Sequence, residues 1–180
     1  MKSYLTYGAL IAAGNGVVTL TLYLAGFHSD PGKLQAANLA SFVTGLALGV
    51  SFLIVGLRAK RAALPPTQDF SYGTALSAGV LISLFAALLG TAFQYLYQSF
   101  INPGLADLLI QAQETQLQQR GVPAEQIEKA LQVMRFFIKP SVQAFIGFMF
   151  SMVFSTLVAL VTAAFLKRKA TEKPFAPTTA

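Results

Sequence analysis

The chain has 180 residues, of which 54% are hydrophobic and 11% are charged, whereas a soluble domain carries about a quarter charged residues. The formal net charge is +6, and the basic residues cluster at the ends of apolar segments, which favours orientation in a membrane over nucleic-acid binding. Because the chain contains no cysteine, a disulfide scaffold, a thiolate metal site and a cysteine nucleophile are excluded.

Four segments without Asp, Glu, Lys or Arg cover residues 3–29, 34–57, 70–106 and 140–166. Each exceeds the roughly 20 residues that a helix needs to cross about 30 Å of hydrocarbon. They predict an all-α fold, an integral membrane four-helix bundle with spans at about 4–26, 34–57, 72–97 and 140–166. Residues 1–169 are predicted to form one four-span membrane domain, and we expect the polar residues 170–180 to be a disordered cytoplasmic tail.

The connection between helices three and four is the longest and is predicted to form an extracytoplasmic helical hairpin, at about 102–139. Asn102 followed by Pro103 is typical of a helix start, and Gly121 followed by Pro123 is typical of a stop and restart. Two short helices are therefore predicted, near 103–120 and 123–138. One face of the second carries four apolar residues that form a candidate partner surface: Ile127, Leu131, Met134 and Ile138.

Basic residues predict the orientation, because Lys and Arg near the ends of spans are retained in the cytoplasm. The side that holds both termini has eight basic and two acidic residues, whereas the opposite side has five of each. The eight are Lys2, Arg58, Lys60, Arg61, Lys167, Arg168, Lys169 and Lys173. All six tyrosines lie within about two turns of a predicted helix end, as amphipathic rings at the headgroup level do. We expect both termini in the cytoplasm.

Small residues recur at four-residue spacing in every predicted span, most regularly in the last one. In lipid, helices associate mainly through close backbone approach at such residues. We predict helix packing within the bundle, with a homodimer face as the alternative, for Gly8, Gly16, Gly45, Gly49, Gly79, Ser83, Gly147, Ser151, Ser155 and Ala159. Asn15 and Asn38 are expected to hydrogen-bond across helices, with contact to a substrate as the alternative.

Reactive constellations are missing from the sequence. No ionisable residue lies inside a predicted span, which disfavours a pump or antiporter, since these hold charges within the membrane. His28 is the single histidine, and we expect it to be a surface turn residue, so a multi-histidine metal site cannot form within one chain. The sequence predicts no enzymatic activity, cofactor, metal or nucleic-acid partner. The expected partners are membrane lipid and either another protein or a second copy.

Four motifs together resemble a known family. They are Phe70-Ser71-Tyr72-Gly73 after the basic second loop, Phe100-Ile101-Asn102-Pro103 after the third span, the restart Gly121-Val122-Pro123-Ala124-Glu125, and the terminal Phe165-Leu166-Lys167-Arg168-Lys169. Over about residues 2–169 the chain resembles the bacterial membrane-protein family catalogued as domain of unknown function 4199.

The resemblance implies a multi-pass protein of the cytoplasmic (inner) membrane of Bacteroidota-like bacteria, with no catalytic residues to carry over. The resemblance also implies genes that lie near those of polyprenol-phosphate glycosyltransferases. The resemblance therefore implies an accessory role in envelope glycan or lipid-carrier metabolism.

Three classes of function stay open at this point. They are an accessory or structural subunit of the bacterial cell envelope, a small transporter or flippase-like protein for a lipid-linked or uncharged substrate, and a membrane enzyme. The missing ionisable groups favour the first class. The sequence therefore predicts a non-catalytic integral membrane protein.

Overall fold

The computed structural model describes residues 2–170, and these residues form six α-helices. The helices are α1 (Lys2–Leu24), α2 (Leu34–Ala62), α3 (Tyr72–Leu96), α4 (Leu105–Gln119), α5 (Ala124–Phe137) and α6 (Pro140–Leu166). A 3-10 turn at Pro31–Lys33 precedes α2, and a π-helical turn at Tyr97–Ile101 continues α3. Because residues 2–170 contain no β-strand, the all-α fold class is confirmed. The predicted disordered tail lies outside the described residues, except for Ala170.

Four of the helices, α1, α2, α3 and α6, are long and apolar enough to cross a membrane. This finding confirms the four apolar spans. The predicted end of the second helix is wrong, because α2 continues past Leu57 to Ala62. Charge ends the apolar segment there but not the helix, since Arg, Lys and Ala are good helix formers and cations are favourable at a helix C-terminus.

The helices pack around α3. This helix packs along most of its length against α6 and α1, whereas α2 packs mainly on α1 and makes few contacts with α6. The main core lies toward the end of the bundle where α1 begins and α6 ends. Its buried members are Leu53, Leu57, Phe70, Ala75, Ala78, Ile82, Ala159, Ala163 and Leu166.

The loop between α2 and α3 is fastened to the end of α6. The backbone N–H of Phe70 donates to the carbonyl of Arg168 at 2.9 Å, and the N–H of Arg168 donates back at 2.8 Å. The Arg168 guanidinium also donates to the carbonyl oxygens of Leu64, Pro65 and Gln68 at 3.0–3.4 Å. These bonds hold the start of α3 and the end of α6 together.

Glycines in the left-handed region end α1 and α4. Gly26 has φ +78° and Gly121 has φ +69°, a conformation that glycine adopts without steric cost. After α4, the N–H of Gly121 donates to the carbonyl of Gln118, and the N–H of Val122 donates to that of Leu117. This is a Schellman motif, and it supplies the stop that the sequence indicated at Gly121.

The predicted helix start at Asn102 and Pro103 is wrong, because α4 begins at Leu105 with Gly104 at the N-cap position. The π-helical turn extends α3 to Ile101, and the side chain of Asn102 bonds to groups outside α4. Pro123 likewise occupies the N-cap position of α5 rather than its first turn. The first turn of α4 packs against the bundle, where Leu105 joins a buried cluster with Leu34 and Tyr97.

Candidate functional site

A groove runs between α2 and α6, where these two helices diverge. Its first part encloses about 360 Å3, within the range of about 300 to 1,000 Å3 that is usual for small-molecule sites. Ile11, Ala12 and Asn15 of α1 contribute to its floor, as does α3 from Ser83 to Gln94. We call this cavity, together with a second one that adjoins it at Val50 and Val158, the α2–α6 groove.

Small residues on both walls keep the groove open. Gly45 and Gly49 of α2 face Gly147, Ser151 and Ser155 of α6 across it. A methyl group added at Gly49 or Gly147 would meet no atom within 4 Å. Gly49 and Gly147 therefore do not pack closely against another helix of the same chain. Gly147, Ser151 and Ser155 of α6 line a cavity because α2 packs mainly on α1 and makes few contacts with α6.

Other residues predicted to pack lie at close helix crossings. A methyl group at Gly8 would come within 2.6 Å of Phe85 Cβ, and one at Gly79 within 2.8 Å of Ala159 Cβ. Gly16 lies against the ring of Phe93. A methyl group added at Gly45 would lie 2.9 Å from Asn15 Oδ1. Ser83 and Ala159 are buried. The backbone crossings of α1 and α6 over α3 therefore use Gly8 and Gly79.

Uncharged amides line the end of the groove near α4 and α5. Gln94 and Gln143 border the cavity, and Gln143 Oε1 accepts a hydrogen bond from Gln98 Nε2, which links α6 to the end of α3. Asn15 donates to the carbonyl of Ile11 in its own helix at 2.9 Å, so the expected bond across helices is not made by its amide nitrogen. Asn38 lies on the exposed surface. This part of the groove offers hydrogen-bonding groups in apolar surroundings.

The groove continues toward the basic end of the bundle. A second cavity of about 550 Å3 shares Val50 and Val158 with the first. Its other lining residues on α6 are apolar apart from Thr162, and Arg58 of α2 stands at its far end. The α2–α6 groove thus extends from an amide-lined end to a cationic end.

A buried polar cluster lies outside the groove, at the end of the bundle where α4 begins. His28 is 9% exposed and Tyr97 is 0% exposed, and Nδ1 of His28 lies 2.6 Å from the Tyr97 hydroxyl. Asn102 Nδ2 donates to that hydroxyl at 3.1 Å and to the His28 carbonyl at 3.3 Å. Burial lowers the pKa of His28, because desolvation disfavours the charged imidazolium.

The cluster corrects two expectations. His28 is not a surface turn residue, and the ring of Tyr97 is buried within the chain rather than exposed to lipid headgroups. Tyr97 instead packs edge-on against Tyr23 and stacks with Phe93. The hydrogen bonds of His28 and Asn102 compensate for burying the phenolic hydroxyl, which explains how a polar tip is tolerated there.

The candidate partner surface on α5 is mostly covered by the chain itself. Ile127, Leu131 and Ile138 are each 8% exposed, and Met134 is partly buried. Helices α4 and α5 contact each other, so this stripe is not a free surface. The large exposed apolar residues of α5 are Val133, Phe136 and Phe137, which are not part of the predicted stripe.

Two further residues, Gly56 and Phe70, have packing roles that the sequence did not indicate. A methyl group at Gly56 would come within 2.8 Å of Ile82 Cδ1 and 2.9 Å of Tyr7 Cγ. Phe70 is fully buried in the main core although it precedes α3. Gly56 lies next to the charged end of α2, where packing inside the bundle is not expected from sequence. Phe70 lies between polar residues in the chain, so the local pattern did not predict its burial.

Four apolar helices long enough to span a bilayer, with a groove that contains uncharged amides between two of them, define a multi-pass helical membrane protein. Residues 6–168 match the family described as "Protein of unknown function (DUF4199)". The chain belongs to this family, as its motifs indicated. No curated protein and no solved structure matches the chain.

Proposed function

We propose that the chain is a non-catalytic accessory or structural subunit of the bacterial cell envelope, embedded in the inner membrane. The observation that carries the proposal is the use of its buried and partly buried polar side chains to tie helices and loops together. Gln98 holds Gln143, Asn102 holds Tyr97, and Arg168 holds the loop between α2 and α3. A scaffold needs such ties, whereas a catalyst needs reactive groups free to meet a substrate.

The proposed orientation places both termini in the cytoplasm and α4 with α5 on the extracytoplasmic side. Its support is the charge of the two ends. Lys60 lies over the ring of Tyr4, so the end of α2 and the start of α1 share one basic end with Arg168. At the other end acidic residues offset the cations, as in the pairs Asp30–Lys33 and Glu125–Lys129.

A partner protein in the envelope is part of this proposal. The family resemblance suggests a polyprenol-phosphate glycosyltransferase as the first candidate partner to test. The exposed residues Val133, Phe136 and Phe137 of α5 are the apolar positions of the extracytoplasmic region from which to test it. A photoreactive amino acid at Phe136 should crosslink to one protein in intact cells, and the same amino acid at Thr67 should not.

The non-catalytic role is tested by rescue of a gene deletion. Tyr97→Phe and Gln143→Ala remove polar groups that a reaction could use. For a structural subunit, rescue should follow the amount of folded protein in the membrane. A variant that is as abundant and as thermally stable as the wild type but fails to rescue would favour an enzyme instead.

A transporter or flippase-like protein for a lipid-linked or uncharged substrate is the second candidate. The observation in its favour is the α2–α6 groove, whose amide-lined end holds Asn15, Gln94 and Gln143. Purified protein in vesicles with a fluorescent lipid tests this function, because a flippase makes inner-leaflet label accessible to a reductant added outside. If the label is reduced no faster than in protein-free vesicles, the flippase function is excluded and the accessory role is retained.

A further inference from the structure

The basic end of the α2–α6 groove combines an arginine with an apolar channel. From Val50 to Arg58 it is bordered by Ile54 on α2 and by Val161 and Phe165 on α6. At 1.5 Å per residue this stretch of α2 is about 12 Å long, which is close to half of a hydrocarbon core of about 30 Å. The channel therefore has about the depth of one leaflet, and in a bilayer we expect the guanidinium of Arg58 near the level of the lipid phosphates.

Arg58 is the cation of the basic end that borders the groove, and no residue of 2–170 forms an ion pair with it. Lys60 lies over Tyr4, Arg168 donates to loop carbonyls, and Asp69 accepts a backbone hydrogen bond. Arg58 is exposed and makes no ion pair with another residue of 2–170. Its charge is thus directed to the groove and to its surroundings.

We propose that this half of the groove binds an anionic membrane phospholipid, with one acyl chain between α2 and α6 and the phosphate paired with Arg58. An apolar channel suits a hydrocarbon chain, and a guanidinium binds phosphate oxygens through two parallel hydrogen bonds. The inference goes beyond the accessory role, because it requires only that the chain lies in a membrane. It holds for either orientation and for either candidate function.

A helix of a second copy fits this half of the groove less well. Close helix approach in membranes needs small residues at the contact. The rim here carries large exposed side chains, namely Leu157, Val161 and Phe165. A flexible acyl chain can pass between them, whereas the cylinder of a helix would be held away by them.

The chain contains no tryptophan, so one introduced tryptophan reports on lipid contact. Phe165→Trp places it on the groove at a highly exposed position, where it should not disturb folding. The protein is placed in mixed vesicles of phosphatidylcholine and phosphatidylglycerol, with bromine on the acyl chains of one lipid at a time. Brominated phosphatidylglycerol should quench with an apparent affinity about fivefold above that of brominated phosphatidylcholine, as expected for one cation at the phosphate.

Matched variants separate this site from general charge attraction. Arg58→Gln in the F165W background should remove the preference, and Arg61→Gln, one turn further on the same helix, should keep it. Leu5→Trp, a lipid-facing position toward the same end outside the groove, should report no preference. As a second readout, the detergent-purified wild-type chain should retain phosphatidylglycerol in native mass spectra and the R58Q variant should lose it.

Several results would overturn the proposal. Equal quenching by the two lipids would show an ordinary boundary contact. A preference that persists in R58Q, or that L5W reports equally, would show only the surface charge of the basic end. Quenching by neither lipid, restored when the protein is diluted in lipid, would show a second copy in the groove.

Discussion

Nδ1 of His28 and the hydroxyl of Tyr97 are 2.6 Å apart although 69 positions separate them in the chain. Their contact joins the α1–α2 loop to the π-helical turn that ends α3, and Asn102 completes it from the segment before α4. All three groups are satisfied when the Tyr97 hydroxyl donates to Nδ1 and accepts from Asn102. A neutral His28 is required for this arrangement, because the imidazolium has no acceptor.

The first prediction concerns pH. Burial lowers the pKa of His28 in the folded chain below its ordinary value of about 6.5, so the unfolded chain binds more protons at acidic pH. The stability due to neutral His28 is fully present above about pH 6.5 and is lost as the pH falls below it. The melting temperature in detergent should therefore drop from neutral to mildly acidic pH. His28→Gln should flatten this slope, and an unchanged slope would exclude His28 as its source.

The second prediction separates the two kinds of small residue. Gly8→Ala forces a methyl group against Phe85 Cβ and the backbone nitrogen of Ala86, and such overpacking costs about 1 to 3 kcal/mol. Gly147→Ala meets open space and should gain up to about 1 kcal/mol from its helix propensity. Thermal unfolding in detergent measures both. A destabilising G147A would show that α6 packs on another helix at this point.

The third prediction tests the cover of the α5 stripe. Leu131→Asp places a carboxylate at a position that is 8% exposed and should cost about 3 kcal/mol or more in lost packing and desolvation. The matched variant Val133→Asp lies at a position that is 59% exposed and should cost little. Trypsin should cut at Arg120, Lys129 and Arg135 much faster in L131D than in V133D. Equal cleavage of the two variants would contradict the observed packing of α4 and α5.

The fourth prediction concerns the loop between α2 and α3. Arg168→Ala removes the hydrogen bonds to the carbonyls of Leu64, Pro65 and Gln68. Each lost bond to a charged donor is worth about 1.5 to 3 kcal/mol when buried and less at an exposed site. We expect a lower melting temperature and faster hydrogen exchange at Phe70. Lys169→Ala, the neighbouring exposed cation, is the control and should leave both unchanged.

The spans could be predicted from sequence because the solvent imposes them. Hydrocarbon requires an apolar segment of a fixed length, and this requirement is visible in any window of the chain. The helix ends could not be predicted equally well. Helix α2 continues through Arg58 and Lys60, where the charges indicate the end of the apolar segment but the helix propensity does not indicate the end of the helix. Local composition therefore located the helices better than it located their ends.

The site could not be predicted because it depends on which helices meet. Four-residue spacing places Gly147 and Ala159 on one ridge, but Ala159 packs on Gly79 while Gly147 lines the groove. The same small side chain permits close contact or leaves a cavity, according to the neighbour. The burial of His28 likewise depends on Tyr97, far away in the chain, and a turn sequence carries no trace of such a contact.

The central claim, a four-span protein with both termini in the cytoplasm, is tested most directly by cysteine accessibility in intact cells. The chain has no native cysteine, and Ser29, Thr67 and Gln118 are exposed, so single substitutions at these positions are readily labelled. Cysteines that replace Ser29 and Gln118 should react with a membrane-impermeant thiol reagent, and one that replaces Thr67 should react only after the cells are lysed. Labelling of the Thr67 position alone in intact cells would invert the orientation, and labelling of all three would contradict the four spans.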